Sequence, residues 1–384
     1  MGLQRKNKNI ILSKNDFELF CLIKEGILGP CTHLMGKKEV DEVLKKQSYK
    51  GKFTPYTFSF SPNNTSFLGA EGEDFDLICE GKQVGTFKLK EKFQSKQDLQ
   101  SIFNSNSCYI DDAERLYVAG DFELNGSQIS KIKQEFNKVK EHLNATRITA
   151  IISNLDPLHR AHERIFRWTI DKADLIVIFL MESYESNGLD FELKKACLEK
   201  FIELYLPKDR VFIFPLKNIT LFNAHLNVLL ETNIAKNLGC TKLVVGQNHS
   251  GLGMFYENNQ PRTILDELVK KFDIEVVVLP EFVYCNKCKI SVSTRSCPHG
   301  SHHHIKFHSN SLKDLLKTGI IPPTIFMRRE ISAMILSKLF PNRFANIQHI
   351  YDDLFPNTGI FSEHKKDEEF YEQLLSMYQI TYMV

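Results

Sequence analysis

"SNLDPLHRAHERIFRWTIDKADLIVIFLM", residues 153–181, decides the fold. "ITAIIS" leads into it as a short, unalternating apolar run, and "DLIVIFLM" closes it as another. Runs of this kind suit strands buried on both faces of a sheet. Between them, a loop opens into the amphipathic segment "LHRAHERIFRWTIDKA", which has helical length and spacing. The alternation continues downstream. "RVFIFPL", "TKLVVG" and "FDIEVVVLP" are further buried strands, and "LDFELKKACLEKFIELYL" and "AHLNVLLETNIAKNLG" are helices between them. Alternation of this kind predicts an α/β core, a doubly wound parallel sheet. Such sheets bind ligands outside the carboxyl ends of their strands, where "SNLDPLHRAH" and "VGQNHSGLGMF" would both lie.

Outward from this core the texture changes. Before Arg147, "FTPYTFSFS", "DLICEG", "QVGTFKLK" and "RLYVAGDFEL" alternate apolar with polar residues and predict a β-rich unit over 1–125. A charged connecting helix follows over 126–146, the core spans 147–305, and 306–384 forms a small helical region carrying "SLKDLLKTG" and "FMRREISAMILSKLF". The chain has 384 residues, 42% hydrophobic and 25% charged, with a formal net charge of +2. This is a globular composition, without the basic excess of a nucleic-acid binder. No apolar run approaches the roughly 18 residues a membrane helix needs, and no secretory signal is evident. A cytoplasmic protein is expected, with nine cysteines that do not read as a disulfide framework.

Three groups of residues can carry chemistry. His159 and His162, three apart at a helix mouth, share a face where unpaired N–H groups and the positive end of the helix dipole favour phosphate. Imidazole N–H groups there can hold charge that develops on an α-phosphate. In "LVVGQNHSGLG", Gly246, Gly251 and Gly253 let backbone come close to a ligand around His249. In "YCNKCKISVSTRSCPHGSHHH", Cys285, Cys288 and Cys297 with His302 have the donor set of a closed, structural zinc site. His303 and His304 are alternative fourth ligands, and His299 stands too close to Cys297 to reach round.

Assembled, these residues resemble the ATP sulfurylase (sulfate adenylyltransferase) family over nearly the whole chain. "EGILGPCTHLMG" is similar to its G-x-x-x-P-L-x-G-F-M segment, "DPLHRAHE" to N-P-x-H-R-G-H-E, and "TGIIPPTIFMRREI" to G-x-x-P-P-x-x-F-x-R-P-E-V. The resemblance implies a PUA-like N-terminal domain, a Rossmann-like adenylyltransferase core and an oligomer. It also implies the reaction ATP + sulfate to adenylyl sulfate + pyrophosphate, with magnesium. His159 and His162 would be catalytic. Asp156, Pro157, Leu158, Gly246, His249, Gly251 and Val283 would hold the nucleotide, and Ser153, Asn154, Leu155 and Ser250 would form the acceptor loop. The acceptor residues depart from the pattern. "SNLD" stands for Q-T-R-N, so Leu155 replaces an arginine; "NAHLN" stands for A-G-P-R-E, "GQNHSG" for G-R-D-H-A-G, and "FHSNSLK" for I-S-G-T-K-V-R. A leucine cannot make the charge-assisted bonds of an arginine. Arg160, Lys194 and Lys195 are candidate replacement cations. The alternatives are a different, less charged acceptor for the same chemistry, or an inactive nucleotide-binding relative.

Overall fold

The computed structural model describes residues 8–63, 71–95, 99–104, 114–183, 187–219, 227–247, 254–257, 260–263, 273–344, 346–355 and 366–380. The first elements in chain order are β1 (Asn9–Leu12), α1 (Lys14–Lys24), α2 (Lys37–Lys46), β2 (Ser48–Tyr49), β3 (Lys52–Phe53), β4 (Asp74–Cys79), β5 (Lys82–Ser95), β6 (Arg115–Leu124) and α3 (Gln128–His142). The alternating unit then runs β7 (Ile148–Ser153), α4 (Arg160–Ile170), β8 (Leu175–Met181), α5 (Phe191–Tyr205), β9 (Val211–Leu216), α6 (Asn227–Asn237) and β10 (Lys242–Gly246). The short pair β11 (Met254–Glu257) and β12 (Gln260–Thr263) precedes β13 (Glu275–Leu279). Next come β14 (Phe282–Cys285), β15 (Ile290–Ser293), β16 (His304–Lys306), α7 (Ser309–Lys317), α8 (Arg329–Leu339), α9 (Ile347–Leu354) and α10 (Asp367–Ile380).

By compactness the chain forms two units, one of residues 1–153, 172–184 and 212–279, the other of residues 154–171, 185–211 and 280–384. The first unit holds the five-stranded sheet, in the order β13-β10-β7-β8-β9. β7 pairs in parallel with both β8 and β10, and β10 with β13. Every residue of β8 is buried, as its unalternating sequence predicts. Chain order reverses across β7, so its carboxyl end, at Ser153, is the switch point where open α/β sheets bind ligands. β10 runs parallel to β7, so the segment after Gly246 leaves from the same edge of the sheet.

The N-terminal sheet has the order β1-β4-β5-β6. At Gly120 an added Cβ would lie 1.9 Å from the Lys88 carbonyl oxygen, so only glycine lets β5 and β6 approach at the bulge between Leu89 and Glu91. "FTPYTFSFS" does not form the expected strand. Thr54, Tyr56, Thr57, Phe58 and Ser59 are all fully buried, and its backbone groups bond piecemeal, to Gln100, Met35 and Val118. Burial on all sides, with Pro55 lacking a donor, leaves no edge for a regular ladder. The apolar residues of this sheet and of the parallel sheet belong to one core, in which Phe20, Phe58 and Phe122 join Val177, Phe179 and Leu243. Asn233 of α6 donates to the Tyr56 hydroxyl at 3.0 Å, and Asn237 to the Ile27 carbonyl at 3.0 Å.

In the second unit, β14, β15 and β16 form an antiparallel sheet. The stretch beyond Pro341, which carries no clear sequence signal, includes α10; its Glu368 and Glu372 both accept from Lys200 of α5. No helix among the described residues is long and apolar enough to cross a membrane.

Candidate active site at the mouth of α4

The loop leaving β7 turns sharply at Leu155, which takes a left-handed conformation (φ 46°) although it is not a glycine. Its side chain is enclosed, 1% exposed. Asp156 follows, also buried, and accepts from the Leu189 N–H at 3.0 Å and from Lys313 Nζ at 3.2 Å. Pro157 and Leu158 are buried, and His159 is the N-cap of α4. The His159 N–H donates to His162 Nδ1 at 3.2 Å, so the side chain three residues into the helix reaches back as in a capping box. This fixes the free proton of a neutral His162 on Nε2. The two rings stack with centroids 3.9 Å apart. His159 Nε2 lies 3.0 Å from Ser309 Oγ, while its buried Nδ1 has no hydrogen-bond partner.

Burial pushes both histidines towards the neutral form. His159 lies well below its ordinary pKa, through desolvation and then the neighbouring His162, and desolvation takes His162 down to about 4. The positive end of α4 acts in the same direction. At neutral pH the pair therefore consists of two neutral imidazoles, each able to donate one N–H without carrying a charge of its own.

Helix α7 completes the site. Ser309 and Lys313 are four residues apart, hence on one face, and they reach His159 and Asp156 respectively. Phe307 lies almost parallel to the His159 ring (11°, 5.6 Å) and meets Phe326 edge-on. The Arg160 N–H is held by the Phe326 carbonyl at 2.8 Å. Sequence reading did not single out Ser309, Phe307 or Lys313 as site residues. The available signal was the four-residue spacing in "FHSNSLK", in which Lys313 stands at the place of an arginine. Of the candidate replacement cations, Arg160 bonds to Glu163 and the Thr324 carbonyl, Lys195 pairs with Glu199, and Lys194 is buried, 5.7 Å over the Phe191 ring. Lys313, among the described residues, reaches the loop through Asp156.

Of the other expected residues, Ser153 ends β7, Asn154 follows it, and Gly246 ends β10. His249, Ser250 and Gly251 lie outside the described residues, as do Gly253 and Leu226. Val283 is 0% exposed and paired on both sides within β14, so its side chain is enclosed in that sheet.

The cysteine group corrects one expectation. Cys285, Cys288 and Cys297 come together with His299, not with His302, and one donor atom from each lies within 4.8 Å of all the others. His299 Nδ1 is 3.5, 3.3 and 3.6 Å from the three sulfurs, and Cys288 and Cys297 are 3.9 Å apart. Tetrahedral zinc bonds imply about 3.5 Å for N···S and about 3.8 Å for S···S, so the donor set fits. The closeness of His299 to Cys297 is no obstacle, because Nδ1, unlike Nε2, lies near the backbone and needs no long reach. His302 instead folds over Gly300, and His303 lies 3.0 Å from the Asn286 side-chain oxygen.

The five strands in this order form an α/β core, and the helix that follows β7 in the chain begins with the histidine pair. Residues 127–338 match the family described as ATP-sulfurylase. The sulfate adenylyltransferase of Carboxydothermus hydrogenoformans is 28% identical over 338 residues, covering 83% of this chain and 88% of that protein. That of Chloroflexus aurantiacus is 22% identical over 333 residues, covering 82% and 86%. A solved structure titled "Hexameric APS kinase from Thiobacillus denitrificans" shares the fold at TM-score 0.63 and 17% identity; the alignment covers 87% of this chain and 64% of that one. The chain belongs to the ATP-sulfurylase family, whose reaction is ATP-dependent adenylyl transfer.

Proposed function

We propose that this protein transfers the adenylyl group of ATP to a small anionic acceptor at the mouth of α4, nominally sulfate, giving adenylyl sulfate and pyrophosphate. The observation that carries this reading is the buried, unpartnered Nδ1 of His159 beside the first turn of α4. Leaving such a group unpaired costs about 1–3 kcal/mol, which a phosphoryl oxygen would relieve. With Ser309 donating to His159 Nε2, Nδ1 carries the proton, and His162 offers Nε2–H. Both would donate to oxygens of the α-phosphate as an acceptor oxygen attacks phosphorus in line and the bond to the pyrophosphate oxygen breaks. A sulfate dianion needs no base to deprotonate it. The sequence of three buried groups Leu155, Asp156 and Pro157 would hold the loop rigid while the charge moves.

Magnesium would arrive on the ATP phosphates and lessen their charge; among the described residues no carboxylate cluster stands ready for a resident ion. Zinc on Cys285, Cys288, Cys297 and His299 would be closed to ligands and structural. In the same reading the N-terminal β-rich segment is PUA-like, the segments 1–125, 126–146, 147–305 and 306–384 are successive parts of the chain, the enzyme is cytoplasmic, and it assembles as an oligomer. A second reading, a less charged acceptor than sulfate, is favoured by one observation. Leu155 is enclosed where the family pattern has an arginine.

The test is pyrophosphate release from ATP and magnesium, with and without sulfate or molybdate, in wild type and in His159→Ala/His162→Ala. Anion-stimulated release that vanishes in the variant supports sulfate as acceptor. Nucleotide binding with no anion effect would sink it and leave the second reading.

A further inference from the structure

Helix α4 has a second, cationic face. At 100° per residue, Arg160 lies about 200° round the helix from His162, and Arg164 and Arg167 follow it on the same side. This face lines a cleft of about 470 Å3 together with Lys289 and Ser291 from the β14–β15 hairpin and Thr324. The size is in the range of small-molecule sites. Its lining holds four cationic side chains and one carboxylate, Glu163.

That carboxylate is already saturated. Glu163 accepts from Arg160 at 3.0 Å, from Arg167 at 3.0 Å, and from Arg328 at 2.6 and 3.0 Å. Burial opposes its ionisation, yet Arg328 and the other arginines hold it down at about 2. Arg160, for its part, is pushed below its ordinary value by burial and by Arg328. Arg167 spends only Nε on Glu163, and neither the Arg164 nor the Lys289 side chain has a hydrogen-bond or ion-pair partner among the described residues. A cleft with this surplus of guanidinium N–H groups is under self-repulsion, which a multiply charged anion would relieve.

We propose that this cleft is a binding site for a phosphate-class polyanion, separate from the histidine pair: a chain of two or three phosphates, free or carried on a nucleotide. Arg164 from α4 and Lys289 from the β14–β15 hairpin supply the unpaired charge. Arg167 adds its unspent guanidinium N–H groups, and the hydroxyls of Ser291 and Thr324 serve the remaining oxygens. Lys289 stands next to Cys288, at a left-handed residue (φ 57°) that closes the cysteine turn. Occupancy therefore depends on that turn being folded. The proposal does not rest on adenylyl transfer at the histidines.

The probes are inorganic tripolyphosphate and ADP, titrated calorimetrically at low salt into four proteins. These are wild type, Arg164→Ala/Lys289→Ala, His159→Ala/His162→Ala, and a control, Lys45→Ala/Lys46→Ala, that removes two charges elsewhere. Control and histidine variant should keep the cleft's tripolyphosphate affinity, any binding at the histidines being lost only in the histidine variant, and the cleft variant should bind at least about tenfold more weakly, as loss of charge-assisted bonds requires. In the histidine variant, ADP binding tighter than tripolyphosphate marks a nucleotide site at the cleft; the reverse marks a phosphate chain. No binding to wild type, equal weakening in the control, or undiminished affinity in the cleft variant overturns the proposal. Thermal midpoints of all four show whether the variants are folded, and Arg164→Glu, a single surface change, repeats the test if the double variant is not.

Discussion

His33 and the histidine pair place opposite demands on pH. Hydrogen bonds from His33 to Cys31 and Glu39 raise its pKa to about 10, whereas burial lowers His162 to about 4 and His159 well below its ordinary value. The pair is neutral in the folded chain and titrates near 6.5 when unfolded. As pH falls below about 6.5, the unfolded chain binds protons that the folded chain refuses, so stability drops until the folded values are passed. His162 alone contributes up to about 3 kcal/mol of this loss. The His33 contribution is complete below its unfolded value and fades as pH rises from about 6.5 towards 10. Urea unfolding at a series of pH values should show both slopes. His162→Gln, which keeps an acceptor for the His159 N–H, should flatten the acid slope alone. A second residue-scale prediction concerns Leu155. Leu155→Arg, which restores the family pattern, places a guanidinium at a position 1% exposed. It should cost roughly 3–5 kcal/mol unless the arginine finds a buried partner, measured as the shift in the urea midpoint.

At the scale of elements, α7 organises the loop before α4. One helix face brings Ser309 to His159 and Lys313 to Asp156, and the second contact is a buried ion pair with side chains 2% and 4% exposed. Removing either charge strands the other. Asp156→Asn and Lys313→Met should each cost about 3–5 kcal/mol, and the double change clearly less than their sum. A double-mutant cycle from thermal or urea unfolding measures this. The cysteine hairpin is the other element whose order rests on a few contacts. Chelation of bound metal, or Cys288→Ser, should raise proteolysis within 285–304 while leaving the parallel sheet protected from hydrogen exchange. Elemental analysis of the wild type checks the metal itself. Both the cysteine cluster and the helix mouth were legible in the sequence, because each is a local pattern. The identity of the histidine ligand was not, because it depended on which ring nitrogen the turn presents. Ser309 was not legible as a partner of His159 either, since 150 residues separate them.

At the scale of the molecule, packing gathers residues 1–153, 172–184 and 212–279 into one compact unit. The β-rich N-terminus shares one apolar core with the parallel sheet and with α6. Deleting residues 1–125 would expose Phe136, Val228, Leu229 and Ile234, now at most 2% exposed. The truncated chain should not fold alone, and circular dichroism with size-exclusion chromatography should find it aggregated or lacking a cooperative transition. A cleanly folded fragment would show that the shared core is dispensable.

The five strands, their helices, the histidine pair and the cysteine group were determined by the sequence itself, through periodicity, residue type and short spacing. Those signals are local, and burial within a parallel sheet forces them strongly. Tertiary structure alone decided that β7 is central, that Lys313 neutralises Asp156, that His299 joins the thiols, and that three arginines converge on Glu163. Charge pairing and strand order depend on which distant segments meet. No spacing along one chain records that meeting, because its free energy is a sum over contacts made only after the chain has folded.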